Sequence, residues 1–246
     1  MGKGIFITGS DTEVGKTLCA CGLIEALKDV GLDVGVYKPV LSGATENSGE
    51  SIPEDALMLK SASRNDDDID LVNPYCFTAP VTPAHAALLE GKRVEKEVLL
   101  DNYAEISGRH DITVVEGAGG LMVPIADDYL ILDLIKDLNL STIVVTDTAL
   151  GRINHTLMTL EVLKLRGIDV IGVIVNRYPK RPKEKEISLL KYIKMFGDTK
   201  ILGTVDEVKN IKSLYSKFIT SFKDNVDISE IKEMVYEYEK NKRACL

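Results

Sequence analysis

One stretch near the start of the chain limits its fold more than any other: Gly4-Ile5-Phe6-Ile7-Thr8-Gly9-Ser10-Asp11-Thr12-Glu13-Val14-Gly15-Lys16-Thr17. Its first part is a short apolar run, β-branched and aromatic, which is the composition of a buried strand. The run breaks at Gly9, and residues 18–30 have the composition of a helix. A strand, a glycine-bearing loop, Lys-Thr and a helix make a cradle for phosphate. Successive backbone N–H groups and the helix N-terminus surround the anion. Lys16 then reaches its outer oxygens, and the Thr17 hydroxyl is placed to ligate Mg²⁺. This is the layout of a P-loop with one departure. The pattern G-x-x-x-x-G-K-[ST] has glycine where this chain has Ser10, and here the glycine lies one residue earlier, at Gly9.

At 246 residues the chain can bury a substantial core, and without an internal repeat or linker it is read as one domain, 1–246. The net charge of −8 argues against binding a nucleic-acid backbone, which requires a basic surface. Gly9, Ser10 and Asp11 interrupt the first apolar run, so it does not read as a signal peptide. No apolar run approaches the ~20 residues of a membrane span. The four cysteines lack metal-ligand spacing, and Cys19 and Cys21 are read as reduced, small hydrophobes on different faces of a helix. A cytoplasmic protein is expected.

Along the chain, strands alternate with helices. After the first helix, Gly31 suits a C-cap, and 33–37 reads as the second strand. Residues 42–54 read as a loop and 54–61 as a short helix, with Asp66-Asp67-Asp68 as a solvated loop. Helical patterns at 84–90 and 94–107 precede a buried strand at 112–115. Helices near 130–138, 154–166 and 184–196 then alternate with strands at 141–145, at 170–175 and near Ile201, before C-terminal helices that include a solvated stretch at 227–243. Nearly continuous apolar strands imply a parallel sheet covered by helices on both faces, a single-domain α/β P-loop fold. Ligands in such folds gather beyond the carboxyl ends of the strands. Attention therefore falls on 9–17, 38–43, 116–120, 147–154 and Asn176.

Lys38 follows the second strand and is placed to hold an anion, with the hydroxyl of Ser42 and the backbone of Gly43 beside it. Glu116 stands directly after a buried strand and before a glycine run, the position of an acid that serves a phosphate-bound metal. Thr17, Asp55 and Glu116 together offer the oxygen ligands Mg²⁺ prefers. For Asp55 alone, the simpler reading is an acid in the first turn of a helix.

Gly9-Ser10-Asp11-Thr12-Glu13-Val14-Gly15-Lys16-Thr17, Tyr37-Lys38-Pro39-Val40-Leu41-Ser42-Gly43, Asn73-Pro74-Tyr75, Val115-Glu116-Gly117-Ala118-Gly119-Gly120 and Gly151-Arg152-Ile153-Asn154-His155 together resemble dethiobiotin synthetase, in matching order, as far as about Asn176. The resemblance implies an ATP- and Mg²⁺-dependent ligase of biotin synthesis that converts 7,8-diaminononanoate and CO2 to dethiobiotin through a carbamate and a carbamic–phosphoric anhydride. It implies Lys16 and Lys38 on the transferring phosphate and carbamate, and Thr12 and Glu13 in the catalytic loop. Thr17, Asp55 and Glu116 would hold Mg²⁺. ATP would lie against Glu13, Val14, Gly15, Lys16, Thr17, Leu18, Glu116, Gly117, Ala118 and Gly119, with Asn176 on the base. The substrate would meet Ser42 and Lys38. A homodimer is also implied, with the substrate carboxylate received at Gly151 and Asn154 of the other subunit.

The last third departs from that pattern: Arg177 stands where an Asp is common, and Thr204-Val205-Asp206 where a proline usually follows. Two other readings compete. A cobyrinate-type amidotransferase ligase would need a glutaminase domain with a nucleophilic cysteine, whereas Cys245 is penultimate here. A regulatory ATPase of the partitioning and division-site group would carry a lysine where this chain has Asp11.

Overall fold

The apolar runs read as buried strands do lie side by side in one sheet. The computed structural model describes residues 3–47 and 49–244. The chain runs β1 (Gly4–Gly9), α1 (Lys16–Asp29), β2 (Val34–Tyr37), β3 (Val40–Ser42), β4 (Thr45–Asn47), β5 (Glu50–Ile52), α2 (Glu54–Ser63), α3 (Ile69–Val72), β6 (Tyr75–Phe77), α4 (Pro83–Leu89) and α5 (Lys96–Arg109). It continues through β7 (Ile112–Glu116), β8 (Pro124–Ala126), β9 (Tyr129–Leu130), α6 (Ile131–Leu138), β10 (Ser141–Thr146), α7 (Arg152–Leu165), β11 (Val170–Tyr178), α8 (Glu184–Phe196), β12 (Ile201–Asp206), α9 (Ile211–Asn225) and α10 (Ile228–Ala244).

Six strands form the main sheet in the order β12-β11-β10-β1-β7-β2, and every pair is parallel. Crossovers in such sheets are right-handed, so the direction in which the chain steps along the sheet decides which face each helix covers. The step from β1 to β2 puts α1 on one face, where α2, α9 and α10 pack against it. The later steps run the other way and put α5 to α8 on the opposite face. β1 lies in the middle, buried along its whole length. The connection after β1 leads to α1 on one face, whereas those after its neighbours β7 and β10 lead to α6 and α7 on the other, so the loops diverge at β1 and leave a crevice.

Gly31 closes α1 as expected. It adopts φ +85°, and its N–H and that of Leu32 bond back to the carbonyls of Lys28 and Leu27. Elsewhere the structure corrects the expectation. Residues 42–54 hold a short antiparallel hairpin, β4 with β5, rather than a plain loop. Its side chains at 45–47 are all exposed, so no apolar alternation marked it. The acidic run 66–68 is not uniformly solvated. Asp67 is buried against Arg109 Nη1 (3.0 Å) and His110 Nε2 (2.7 Å), while Asp68 caps α3 through the N–H of Asp70. The helix expected from 154 begins at Arg152. The solvated C-terminal stretch is a helix with a buried side, since Ile231 and Val235 join the core. Cys19 and Cys21 are both fully buried and unpaired, and burial pushes both thiol pKa values up. Cys245 lies outside the described residues.

Candidate active site

Strand register brings the functional loops to one level. Ile7 pairs with Glu116 and Gly9 with Val145, while Tyr37 pairs with Val115. The residues that follow β1, β2 and β7 therefore meet at the carboxyl edge of the sheet. Between β1 and α1 the chain passes through two left-handed residues, Glu13 (φ 59°) and Gly15 (φ 90°). Gly15 must be glycine. A Cβ there would lie 2.1 Å from Asn176 Nδ2, and its φ disfavours a side chain. Lys16 opens α1, and its ammonium donates to the carbonyl of Asp11 (3.1 Å).

Beneath the loop sits a compact charge cluster. Lys38 Nζ lies 2.9 Å from Asp55 Oδ2 and 2.7 Å from Glu116 Oε1, and the Thr17 hydroxyl donates to the same Glu116 oxygen (2.9 Å). Lys38 and Glu116 are 3% and 1% exposed, so this pair is shielded from water. Burial opposes the Lys38 charge, but Glu116 and Asp55 outweigh it and hold its pKa above the ordinary lysine value. Burial would raise the Asp55 pKa, and Lys38 outweighs that to lower it. For Glu116 burial dominates and the pKa rises. Among the described residues no carboxylate forms an ion pair with Lys16, and burial brings its pKa down to about 8. Glu116 Oε2 is buried without a partner. An anionic oxygen left so would be costly unless a cation completes the site.

A cavity of about 500 Å³ opens above this cluster. Of the residues expected from sequence, Thr12, Glu13, Gly15, Lys16, Thr17, Leu18, Lys38, Ser42, Asp55, Ala118 and Gly119 line it. Val14, Glu116 and Gly117 are buried behind those residues. Asn176 is 1% exposed and braces the loop from behind, donating to the Val14 carbonyl (2.9 Å) and accepting from the N–H of Arg177 (2.8 Å). Gly151 and Asn154 do not enter the cavity and lie exposed at the start of α7. Leu41, Met58 and Arg177 also line it, although sequence had not assigned them to the site. Among these only Arg177 carried a signal, as a departure from the expected pattern. Asp147 and Arg152 fasten the loop from the β10 side; Asp147 follows a strand end but fits no motif, and Arg152 stands inside the Gly151–His155 motif without a role assigned to it from sequence.

A phosphate loop, two buried lysines and two carboxylates at one sheet edge describe a nucleotide-using enzyme, and comparison with known proteins narrows the class. Residues 3–241 match a family model described as an AAA domain. The ATP-dependent dethiobiotin synthetase of Bacillus licheniformis is 39% identical over 93% of this chain and 95% of its own length. That of Bacillus subtilis is 36% identical over 95% and 99%, and that of Clostridium kluyveri 35% over 87% and 88%. The chain belongs to the dethiobiotin synthetase family. Among solved structures, the cell-division ATPase MinD of Pyrococcus furiosus superposes with TM-score 0.52 at 18% identity, covering 95% of this chain and all of its own. The MinC:MinD complex of Aquifex aeolicus gives 0.54 at 16%, over 90% and 94%. These likenesses show the α/β sheet architecture shared with P-loop proteins.

Proposed function

We propose that this chain is an ATP-dependent dethiobiotin synthetase formed by a single domain, 1–246. The observation that carries the reading is the convergence of Lys16, Lys38, Thr17 and Asp55 on one cavity, with Glu116 bonded to Lys38 and Thr17 directly behind its wall, in a chain of this family. One amine of 7,8-diaminononanoate takes up CO2 and loses a proton, giving a carbamate. A carbamate oxygen attacks the γ-phosphorus of ATP, and the bond to ADP breaks. The second amine then attacks the carbonyl carbon of the mixed anhydride, expels phosphate and loses a proton, which closes the cyclic urea. Little covalent help is needed. The protein's work is to hold two anions and two amines in line.

Lys16 can follow the γ-phosphate because, among the described residues, it is a neutral carbonyl, that of Asp11, that holds it in the resting site. Lys38 is already charged and fixed between two carboxylates, suited to the carbamate and the transferring phosphoryl group. Ser42 lines the substrate side. Thr17, Asp55 and Glu116 fit Mg²⁺, since their donors are hard oxygens and Glu116 Oε2 is otherwise orphaned. When bound, the ion supplies charge neutralisation between the phosphates. The apolar side chains of Leu150, Met122 and Met158 are 92%, 57% and 60% exposed near the start of α7. They support a homodimer in which Gly151 and Asn154 receive the substrate carboxylate of the other subunit. No helix among the described residues is long and apolar enough to cross a membrane, and a cytoplasmic place suits the reduced cysteines and the need for ATP.

Incubation with diaminononanoate, bicarbonate, Mg²⁺ and ATP should yield dethiobiotin by mass. ATP turnover without a ring product would overturn the reading. Dilution below the dimer dissociation constant should abolish ring closure, and full activity from a monomer would remove the shared-site arrangement.

A further inference from the structure

The end of β10 gathers two of the positions at which this chain departs from its expected pattern, Ser10 and Arg177. Ser10, in the place of the usual glycine, donates its hydroxyl to Thr146 Oγ1 (2.9 Å). Arg177, in the place of the common Asp, reaches Asp147 Oδ2 (3.2 Å). Asp147 is 4% exposed, and its other oxygen accepts from Arg152 Nε (2.6 Å) and from the N–H of Ala149 (3.1 Å). Through Nη1, the same Arg152 guanidinium also pairs with the carboxylate of Asp11, inside the phosphate loop. Asp11 in turn accepts from the N–H of Thr12 (2.8 Å), and its carbonyl holds Lys16.

Thr12 and Glu13 are exposed, and Glu13 is left-handed, so burial does not hold this half of the loop in shape. The planar fork of an arginine suits the task, because it bridges two carboxylates at a fixed spacing where an ammonium makes one point contact. We propose that Arg152, seated on the buried Asp147, is a positioning residue that holds the phosphate loop ready for nucleotide. The proposal rests on the reading of Gly9–Thr17 as the phosphate site. A loop already ordered loses less freedom when it binds, so the clamp acts on nucleotide affinity rather than on the chemical step.

The test compares ADP and ATP affinity by calorimetry, steady-state kinetics and thermal unfolding in Arg152→Gln, Arg152→Lys, Asp11→Asn and the Arg152→Gln/Asp11→Asn double variant. Arg152→Gln should weaken both nucleotides about tenfold, with kcat at saturating ATP held within about twofold. Arg152→Lys should recover only part of the affinity, and the double variant should bind no worse than the weaker single variant. Strictly additive losses would overturn the proposal. So would unchanged nucleotide affinity with a raised KM for diaminononanoate, which would make Arg152 a reader of the substrate. A lowered Tm with normal affinity in the folded protein would make the clamp merely structural and overturn it too. Gly15→Ala, which strains the phosphate loop itself, is the control. If it leaves nucleotide binding intact, the phosphate-loop reading itself fails. If it weakens binding while Arg152→Gln does not, only the clamp fails.

Discussion

At the phosphate end of the cavity, most charged side chains answer to more than one partner. Lys38 bridges Asp55 and Glu116, and Thr17 shares the Glu116 oxygen. At the opposite end the contacts thin out. β12 is an edge strand whose pairing with β11 shifts register twice, Arg177 is half exposed, and Lys180 stands 3.9 Å from Asp206. The pairings of β1 and β2 with β7, by contrast, run without a break. The difference follows from position in the sheet. A central strand has neighbours on both sides that fix where its following loop begins, whereas an edge strand has one. In the proposed reading, chemistry that needs charges held in line falls to the centre, and selectivity for the nucleobase to the edge.

The strongest way to break this comparison is to remove charge from the centre. Lys16→Gln should lower kcat/KM for ATP by about 10²–10³-fold, as expected for a preorganised group acting on developing charge. Its Tm should stay within a few degrees, because burial already disfavours the Lys16 ammonium in the resting protein. Activity assays paired with thermal unfolding decide it: a collapse in Tm with normal turnover per folded molecule would make Lys16 structural.

The two ends meet at Gly15, where a Cβ would strike Asn176. Gly15→Ala should weaken ADP and ATP by about 1–3 kcal/mol through strain at φ 90° and that contact. Adding Asn176→Ala removes the obstacle, and calorimetry should show part of the affinity restored. If nothing returns, backbone strain alone accounts for the loss and the two ends are not coupled through this contact.

These residues also show what sequence made legible. Strand, loop, Lys16-Thr17 and helix could be read locally, because hydrophobic runs and glycines are local signals. Glu116 was placed by the same logic. The hairpin β4–β5 carried no apolar pattern, since every side chain of β4 is exposed. Asp67 looked solvated because its partners, Arg109 and His110, lie 42 and 43 residues away. Arg152 reaches Asp11 across 141 residues, and only the folded sheet brings them together.

A pH series sharpens the contrast further. Lys16 has a pKa of about 8 in the folded protein against an ordinary value of 10.5. Above pH 8 the free enzyme loses this charge, so kcat/KM for ATP should fall about tenfold per unit of pH. Stability moves the other way. Between about pH 8 and the ordinary lysine value the unfolded chain holds a proton the folded chain has released, and stability rises with pH. The clean window is pH 8 to 9, below the ordinary thiol value of 9.0, because the thiol pKa values are raised on folding and work in the opposite direction above it. Denaturant unfolding should show this rise as at most about 1.4 kcal/mol per unit in the wild type and not in Lys16→Gln. An equal rise in both would assign it to another group.

The smallest effect belongs to the edge. Every nucleoside triphosphate offers the same phosphates to the central loop, so discrimination must come from groups that meet the base. Asn176 is the residue proposed for this contact, and in the folded protein much of its amide is already committed. One N–H serves the Val14 carbonyl, and the oxygen accepts from Arg177. One N–H and one lone pair are left for a base. β12 adds little to them, because the Asp206 N–H is taken by the Ser221 hydroxyl and its carboxylate faces Lys180. A hydrogen bond of ~1 kcal/mol is worth only several-fold in affinity. ATP should therefore be used with a modest preference over CTP, GTP and UTP. Asn176→Ala should weaken all four together, through the unbraced loop, and narrow the ratio among them. The ratio is the quantity to measure, by competition in one vessel, because the shared loss cancels from it. Strong exclusivity for ATP would show that the irregular edge reads the base after all, and that a selective site can be built on a strand with one neighbour.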